Sequence, residues 1–389
     1  MTASQPKPAR VAAPHKGGGR RIWFNLHSWV GLKLSVFMAF VCLTGTLAVL
    51  AHEIDWLMHP EIRVAPGESR ASWGEQVAAI QRAHPEWRIN YLAAPHASRF
   101  AAKAATVTPQ GRYRYVWVDP HTGQVTGDTH WFNAHRFLRN AHRHLMMPVW
   151  VGVPLVSALA IPLLLSLVSS LYIYKRWWRG LLAWPRRERR RRFWGDVHRL
   201  LGVWSLWFVL LIALTGLWYL VESLGAGARP LPEVPSASTD GVPSAADPAA
   251  IDRAVDQAHR RWPELEIRNV YPSADGAGLV LDGQAGTWLV RERANAIGFD
   301  LRTGAVLGRR EGSELDAHQR ISEMADPLHF GSFGGWPVRL LWFLFGAALT
   351  ALSVTGVYLY GLRVADAMRS AMRRGQARTG VNQHGEGRR

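Results

Sequence analysis

Six histidines lie at the ends of long apolar runs, where a membrane-spanning chain would not ordinarily keep an ionisable ring. His27 sits one turn before the apolar run 30–51, and His198 sits just before the run 200–221. Each is followed four residues later by a glycine, Gly31 and Gly202, one turn along the same helical face. An imidazole with a gap above it suits a flat ring. His142 and His144 precede the run 149–173, His329 precedes 338–360, and His52 closes the first run. Ionisable or metal-binding side chains at membrane depth are rare and usually functional. Iron in a porphyrin takes two axial ligands, and neutral imidazole is a common one. The pattern therefore points to haem b, with His27 and His198 gripping one group and His142 and His329 a second. His52 and His144 are alternates for the second site. On one helix His27 and His52 would be separated by a rise of roughly 37 Å, too far to share a haem. Two haems stacked across a bilayer would make an electron path. The competing reading is that interfacial histidines only snorkel or cap helices.

The remaining candidates carry less chemistry. His15 and His384 lie in polar tails, and His121 sits in Asp119-Pro120-His121-Thr122-Gly123, the composition of a turn. Met146 and Met147 read as a helix start rather than as axial thioethers. Thr44-Gly45 and Thr215-Gly216 read as places of close helix contact. With only Cys42, the chain can form no intrachain disulfide, iron–sulfur cluster, thiolate zinc site or covalent c-type haem.

The elements that must position these rings are membrane spans. A bilayer core takes about 20 apolar residues on a helix, and four segments qualify: 22–51, 148–174, 198–221 and 338–361. The first follows a basic tail, 1–21, but no small-x-small cleavage site follows it, so it reads as a retained signal-anchor. Lys and Arg crowd the tail, the loop 175–197 and the C-terminal segment 362–389, which places all three on the cytoplasmic side of the membrane. The net charge of +17 is thus a topology signal, with Trp177, Trp178 and Trp184 as interfacial anchors, and not a nucleic-acid surface. Two larger segments, 52–147 and 222–337, fall outside. Helical spacing at 72–83 and 249–261, followed by alternation such as Tyr113-Arg114-Tyr115-Val116-Trp117-Val118, predicts a helix and then strands in each. Residues 229–249, rich in Pro, Ser and Ala, read as a linker.

The halves repeat each other. Trp23, His27, Gly31, Thr44 and Gly45 recur 171 positions later as Trp194, His198, Gly202, Thr215 and Gly216. Asp119-x-x-Thr122-Gly123 recurs as Asp300-x-x-Thr303-Gly304, and Tyr172-x-Tyr174 as Tyr358-x-Tyr360. The expected fold is membrane α-helical: four transmembrane helices as two parallel repeats, each with an inserted periplasmic α+β domain.

Leu26-His27-Ser28-Trp29-Val30-Gly31, Val197-His198-Arg199-Leu200-Leu201-Gly202, Ala141-His142-Arg143-His144-Leu145 and Leu328-His329-Phe330-Gly331 together resemble the PepSY-associated transmembrane family, over about residues 20–362. The resemblance implies PepSY-like outer domains and a siderophore-iron (ferric) reductase with two haems b. It implies His27, His198, His142 and His329 as ligands. Ala141 departs from the family's usual Leu before its histidine. The expected activity is electron transfer from a quinol or cytoplasmic reductase to a ferric siderophore. Trp87, Trp117 and Trp131 are aromatic candidates for the chelate. Two rival readings are a haem-free, membrane-anchored PepSY binding or regulatory protein and a siderophore or iron transporter. No span carries a mid-membrane acidic residue, which weighs against transport.

Overall fold

The computed structural model of the chain describes residues 18–237 and 244–386, without the side chains of 18, 20, 30–34 and 373–386. Lys7, Arg10, His15 and Lys16, the side chain of His384, the surroundings of Gly31 and part of the 229–249 linker lie outside the described residues. The chain opens with α1 (Gly18–Val49), α2 (Ala51–Met58) and α3 (Trp73–Ala83). Four strands follow: β1 (Arg88–Ala93), β2 (Ala102–Val107), β3 (Tyr113–Val118) and β4 (Val125–His130). The middle is helical, with α4 (Ala134–His144), α5 (Val149–Ser157), α6 (Ala160–Ile173), α7 (Arg190–Trp204) and α8 (Leu206–Val221). The second half continues with α9 (Pro248–Arg261), β5 (Glu266–Pro272), β6 (Gly278–Gln284), β7 (Asn295–Asp300) and β8 (Val306–Arg310). It closes with α10 (Ala317–Phe330) and α11 (Gly335–Glu386). These elements group into two compact units, one of Met1–Ala39, Ile161–Leu210 and Ala351–Arg389, the other of Phe40–Ala160 and Leu211–Thr350.

Among the described residues, three helices are long and apolar enough to cross a membrane: Val149–Ile173, Leu206–Ala226 and Ser332–Met372. A fourth arises if Ser35–Val49 and Ala51–Met58, bent by 65° at Leu50, count as one span. The interruption between α5 and α6 has a local cause. Pro162 has no N–H to donate to the carbonyl of Ala158, four residues back, so the helical ladder breaks there. α7 reaches back to Arg190, into the segment expected to be loop. Arginine is a good helix former, and buried Asp196 holds Arg186 at 2.9 Å and Arg199 at 3.2 Å across this stretch.

In the Phe40–Ala160 and Leu211–Thr350 unit, the two halves build a single antiparallel sheet in the order β4-β3-β2-β1-β5-β6-β7-β8. The seam is β1 against β5, with Leu92 opposite Val270 and Ala93 opposite Asn269. Alternation sorts each strand into two faces. Leu92, Ala102, Ala104, Val116, Val118, Val270, Leu279, Leu281, Ile297 and Phe299 point to one face and join Val77, Ile80, Ile251 and Val255 of α3 and α9 in the core. The opposite face carries Tyr91, Lys103, Tyr115 and Trp117. Both Asp–Thr–Gly segments are turns: Gly123 (φ 69°) and Gly304 (φ 71°) take the left-handed conformation, and their N–H groups donate to the carbonyls of Asp119 and Asp300. His121 donates its backbone N–H to Asp119 within this turn. Trp87 packs on the core, while Trp117 and Trp131 lie on the opposite face, where Trp117 is buried and Trp131 is partly exposed.

α3 and α9 are locked together by one carboxylate. Asp252 accepts from Ser72 Oγ at 2.6 Å and from the Gly74 N–H at 2.7 Å. A Cβ on Gly74 would lie 2.2 Å from the Pro248 carbonyl oxygen, so the helices meet where only glycine fits. Gly74→Ala is expected to cost about 1–3 kcal/mol through overpacking, and Asp252→Ala about 1–3 kcal/mol by leaving a buried N–H unpaired. Thermal melting of the detergent-solubilised protein measures both; wild-type melting for the two variants would show that this contact does not hold the sheet's halves.

Candidate cofactor site: two facing pairs of histidines

His27 on α1 and His198 on α7 face each other with ring centroids 6.4 Å apart and planes at 84°. His27 Nδ1 lies 3.0 Å from Ser169 Oγ, and His198 Nδ1 lies 2.8 Å from Thr355 Oγ1. Ser169 donates its own proton to the Ser166 carbonyl, and Thr355 donates to the carbonyls of Ala351 and Leu352. With those protons committed, each hydroxyl can only accept, so each imidazole carries its proton on Nδ1. Nε2 is left with a bare lone pair, and no hydrogen bond reaches it among the described residues. The pair is flanked by repeat-related aromatic contacts, Trp23 stacked on Tyr172 at 4.6 Å and Trp194 edge-on to Tyr358 at 5.9 Å.

His142 on α4 and His329 on α10 form a second pair in the other unit, centroids 6.1 Å apart and planes at 40°. His142 Nδ1 donates to the Val41 carbonyl at 2.8 Å, and His329 Nδ1 to Thr215 Oγ1 at 2.8 Å. Thr215 in turn donates to Leu211 and Ile212 carbonyls, which fixes the same tautomer. Gly45 makes the room: a Cβ there would lie 2.6 Å from His142 Cε1. Gly331, in the left-handed region (φ 68°), ends α10 two residues after His329, and a Cβ on it would meet the Trp342 ring at 2.6 Å. Tyr219 lies edge-on to His329 at 5.3 Å and donates to Asp326 at 2.7 Å. Asp326 and the buried Glu323 are held by Arg291 at 3.0 and 2.7 Å, an anchored network behind the ring.

The four residues fit a shared metal between each pair. Two nitrogen–metal bonds of roughly 2 Å, plus two nitrogen-to-centroid distances of roughly 1 Å, put trans-ligating rings about 6 Å apart. A ligating imidazole also normally has its other N–H tied to a carbonyl or similar acceptor. Both conditions hold in both pairs. His144 and His52, the alternates, are elsewhere. His144 Nδ1 is bonded to the Met147 carbonyl at 2.6 Å in a corner where Leu145 and Met146 have φ of 55° and 59°. His52 stacks between His96 and His135, centroids 4.3 Å from each.

Of that third group of rings, His96 and His135 were not singled out from the sequence, although His135 lies seven residues before His142, two turns along α4 on the same face. Around it stand Lys103, Arg136 and the Arg339–Glu53 ion pair, with Arg339 also on His96. Among the described residues, no group of three or more His, Cys, Asp or Glu side chains is arranged to hold a bare metal ion. Burial, reinforced by Lys103, holds His135 down at about 3, and burial with Arg339 holds His96 at about 4.

The model of a family described as the PepSY-associated TM region matches residues 24–363. An uncharacterized protein of Pseudomonas aeruginosa, PA4219, is 27% identical over 257 residues, covering 59% of this chain and 64% of that protein. The chain therefore spans less than two thirds of the relative it matches.

His96 and His135 are neutral in the fold at pH 7, whereas the unfolded chain takes up their protons near 6.5. A depressed folded-state pKa contributes stability that is complete above about pH 6.5 and is lost progressively as pH falls toward about 4. Melting temperature should therefore drop between pH 7 and pH 5, and His96→Gln with His135→Gln should flatten that slope. An unchanged slope in the double variant would contradict the assignment of neutral, desolvated rings.

Proposed function

Because the chain belongs to the PepSY-associated TM family, we propose that it is an inner-membrane di-haem b reductase that passes electrons across the bilayer to a ferric siderophore. The observation that supports this best is the matched state of four imidazoles. Each is tied at Nδ1, bare at Nε2, and paired with a second ring at the separation a shared metal requires. A helix cap or a snorkelling histidine needs no such pairing. Ser169 and Thr355 stand 186 positions apart, the same offset as Tyr172 and Tyr358, so the two ligand-orienting hydroxyls obey the repeat as the histidines do. This favours four spans as two parallel repeats, with the bent pair at Leu50 as the first.

Haem held between two imidazoles supplies one-electron transfer with little change in its ligands. The chain's own side chains do the rest. Ser169, Thr355, Thr215 and the Val41 carbonyl hold the Nδ1 protons and so aim each Nε2. Gly45 gives His142 its space, and Tyr219 with Asp326 braces His329. The arginines between 176 and 192 and after 362 favour a cytoplasmic position for the His27–His198 pair. Electrons from a quinol or a cytoplasmic reductase would then enter there, and the His142–His329 pair would face the periplasmic acceptor. Reduction frees iron because the hard oxygen donors of hydroxamates and catecholates suit Fe(III) better than Fe(II). No nucleophile or proton-transfer dyad is needed for that step.

A pyridine-haemochrome assay on detergent-purified protein from haem-replete cells should give two haems b per chain. His27→Ala and His329→Ala should each remove one, and Thr355→Val should weaken haem retention about 10- to 100-fold while leaving the ligand in place. Full haem content in both histidine variants would overturn the ligand pairs. A colourless wild type would leave the haem-free anchor, and donor-independent siderophore uptake into vesicles would favour the transporter.

A further inference from the structure

The polar face of the sheet holds two cations, Lys103 and Arg136, without a direct ion-pair partner among the described residues. Arg136 lies 3.5 Å above the Trp131 ring and donates Nε to the Tyr115 hydroxyl at 2.9 Å. Lys103 lies 5.4 Å from the Tyr115 ring centroid. Among the described residues neither meets a carboxylate within ion-pair distance, whereas neighbouring Arg339 is paired with Glu53 at 2.7 Å and Arg114 with Asp128. The carboxylate of Asp55 is occupied otherwise: it accepts from the N–H groups of Ala134 and His135 at 2.8 and 3.2 Å, capping α4. Lys103 feels Asp55 and Glu292 only from beyond ion-pair distance, and a largely desolvated cation without a direct partner leaves an electrostatic demand that an anionic ligand would meet. Phenols surround the same spot. Tyr91 and Tyr115 are pushed upward by burial and keep their protons, so they remain hydrogen-bond donors at neutral pH.

The position matters as much as the charge. Arg136 follows His135 on α4, and His135 precedes His142 by seven residues, a helical rise of roughly 10 Å. His135 also stacks on His52 at 4.3 Å at the end of α4 away from His142. An acceptor docked against Lys103 and Arg136 would therefore sit a short distance from the His142–His329 pair.

We propose that this face is the docking site of the electron acceptor, and that it selects anionic oxygen-donor ferric chelates, of the catecholate or carboxylate class, through Lys103 and Arg136. The proposal rests on the reductase reading and names the substrate class of that same reaction. The step is the transfer of one electron, Fe(III) to Fe(II), drawn from the reduced outer site and ultimately from the quinol or cytoplasmic donor. Tyr115, with Tyr91 bonded to it, donates a hydrogen bond to the chelate's oxygens.

Gallium(III) replaces iron without redox chemistry, so binding can be read apart from turnover. The full-length protein is titrated calorimetrically with gallium citrate, gallium tris-catecholate and a cationic gallium trihydroxamate. The two anionic complexes should bind, the cationic one at least tenfold more weakly. Lys103→Gln and Arg136→Gln should each weaken the anionic complexes about tenfold or more. Haem content and dithionite reducibility of the same samples check the fold of each variant. Variants that bind like wild type, binding without charge preference, or no binding by red, reducible protein would overturn the docking site while leaving the reductase reading in place. Colourless wild-type protein would overturn both.

Discussion

An imidazole can present one nitrogen lone pair to a metal only if the proton on its other nitrogen has a fixed destination. Four times over, that destination is a group that can only accept: a backbone carbonyl for His142, and hydroxyls already donating to their own helices for His27, His198 and His329. In an apolar interior such a choice is sharp, because an imidazole donor left without an acceptor would cost about 1–3 kcal/mol. The hydroxyls belong to Ser169, Thr355 and Thr215, residues that can return their own proton to a backbone carbonyl within the helix and so sit in an apolar span without an unpaired donor. The tautomer, the ring direction and the pairing of helices thus depend on one kind of contact.

Helix interruptions serve the same geometry. α1 bends at Leu50 just beyond Thr44 and Gly45, which lets α2 bring Asp55 to the N-terminus of α4, where it holds the first turn of the helix that carries His142. Glycine appears where a side chain would collide with a ring: Gly45 under His142, and Gly331 against Trp342 just after His329. In the sheet, α3 and α9 bury the middle of one face, while Tyr91, Lys103 and Tyr115 of the strands turn toward the other. There the chain sets cations, phenols and imidazoles beside a small aromatic cluster of Tyr115, Trp117 and Trp131, an expensive arrangement for structure alone.

Much of this was legible in the residues. Long apolar runs, histidines at their ends and the Asp–Thr–Gly turns all follow local rules, and strand alternation at 113–118 marks the faces of β3. What alternation cannot tell is which strand lies next to which, so the joining of the two outer segments at the β1–β5 seam had no local signal. The orienting hydroxyls were equally hidden, since Ser169 and Thr355 in apolar helices look like ordinary packing residues until their 186-position repeat is noticed. His144 was indistinguishable from His142 by position; the left-handed corner at Leu145 and Met146 separates them. Thr44-Gly45 and Thr215-Gly216 are expected helix contacts, and Gly216 is one, a Cβ there lying 3.0 Å from Ala160 Cβ; Gly45 in addition makes room for an imidazole and Thr215 accepts from one.

Electron paramagnetic resonance of the air-oxidised, detergent-purified protein addresses the central claim most directly, because it reports on the atoms bound to iron. Two pairs of Nδ1-tethered imidazoles predict two low-spin ferric haem signals with bis-imidazole character, their shapes differing because one pair has nearly perpendicular rings and the other does not. A high-spin ferric haem signal, or no haem signal in protein from haem-replete cells, would contradict the account.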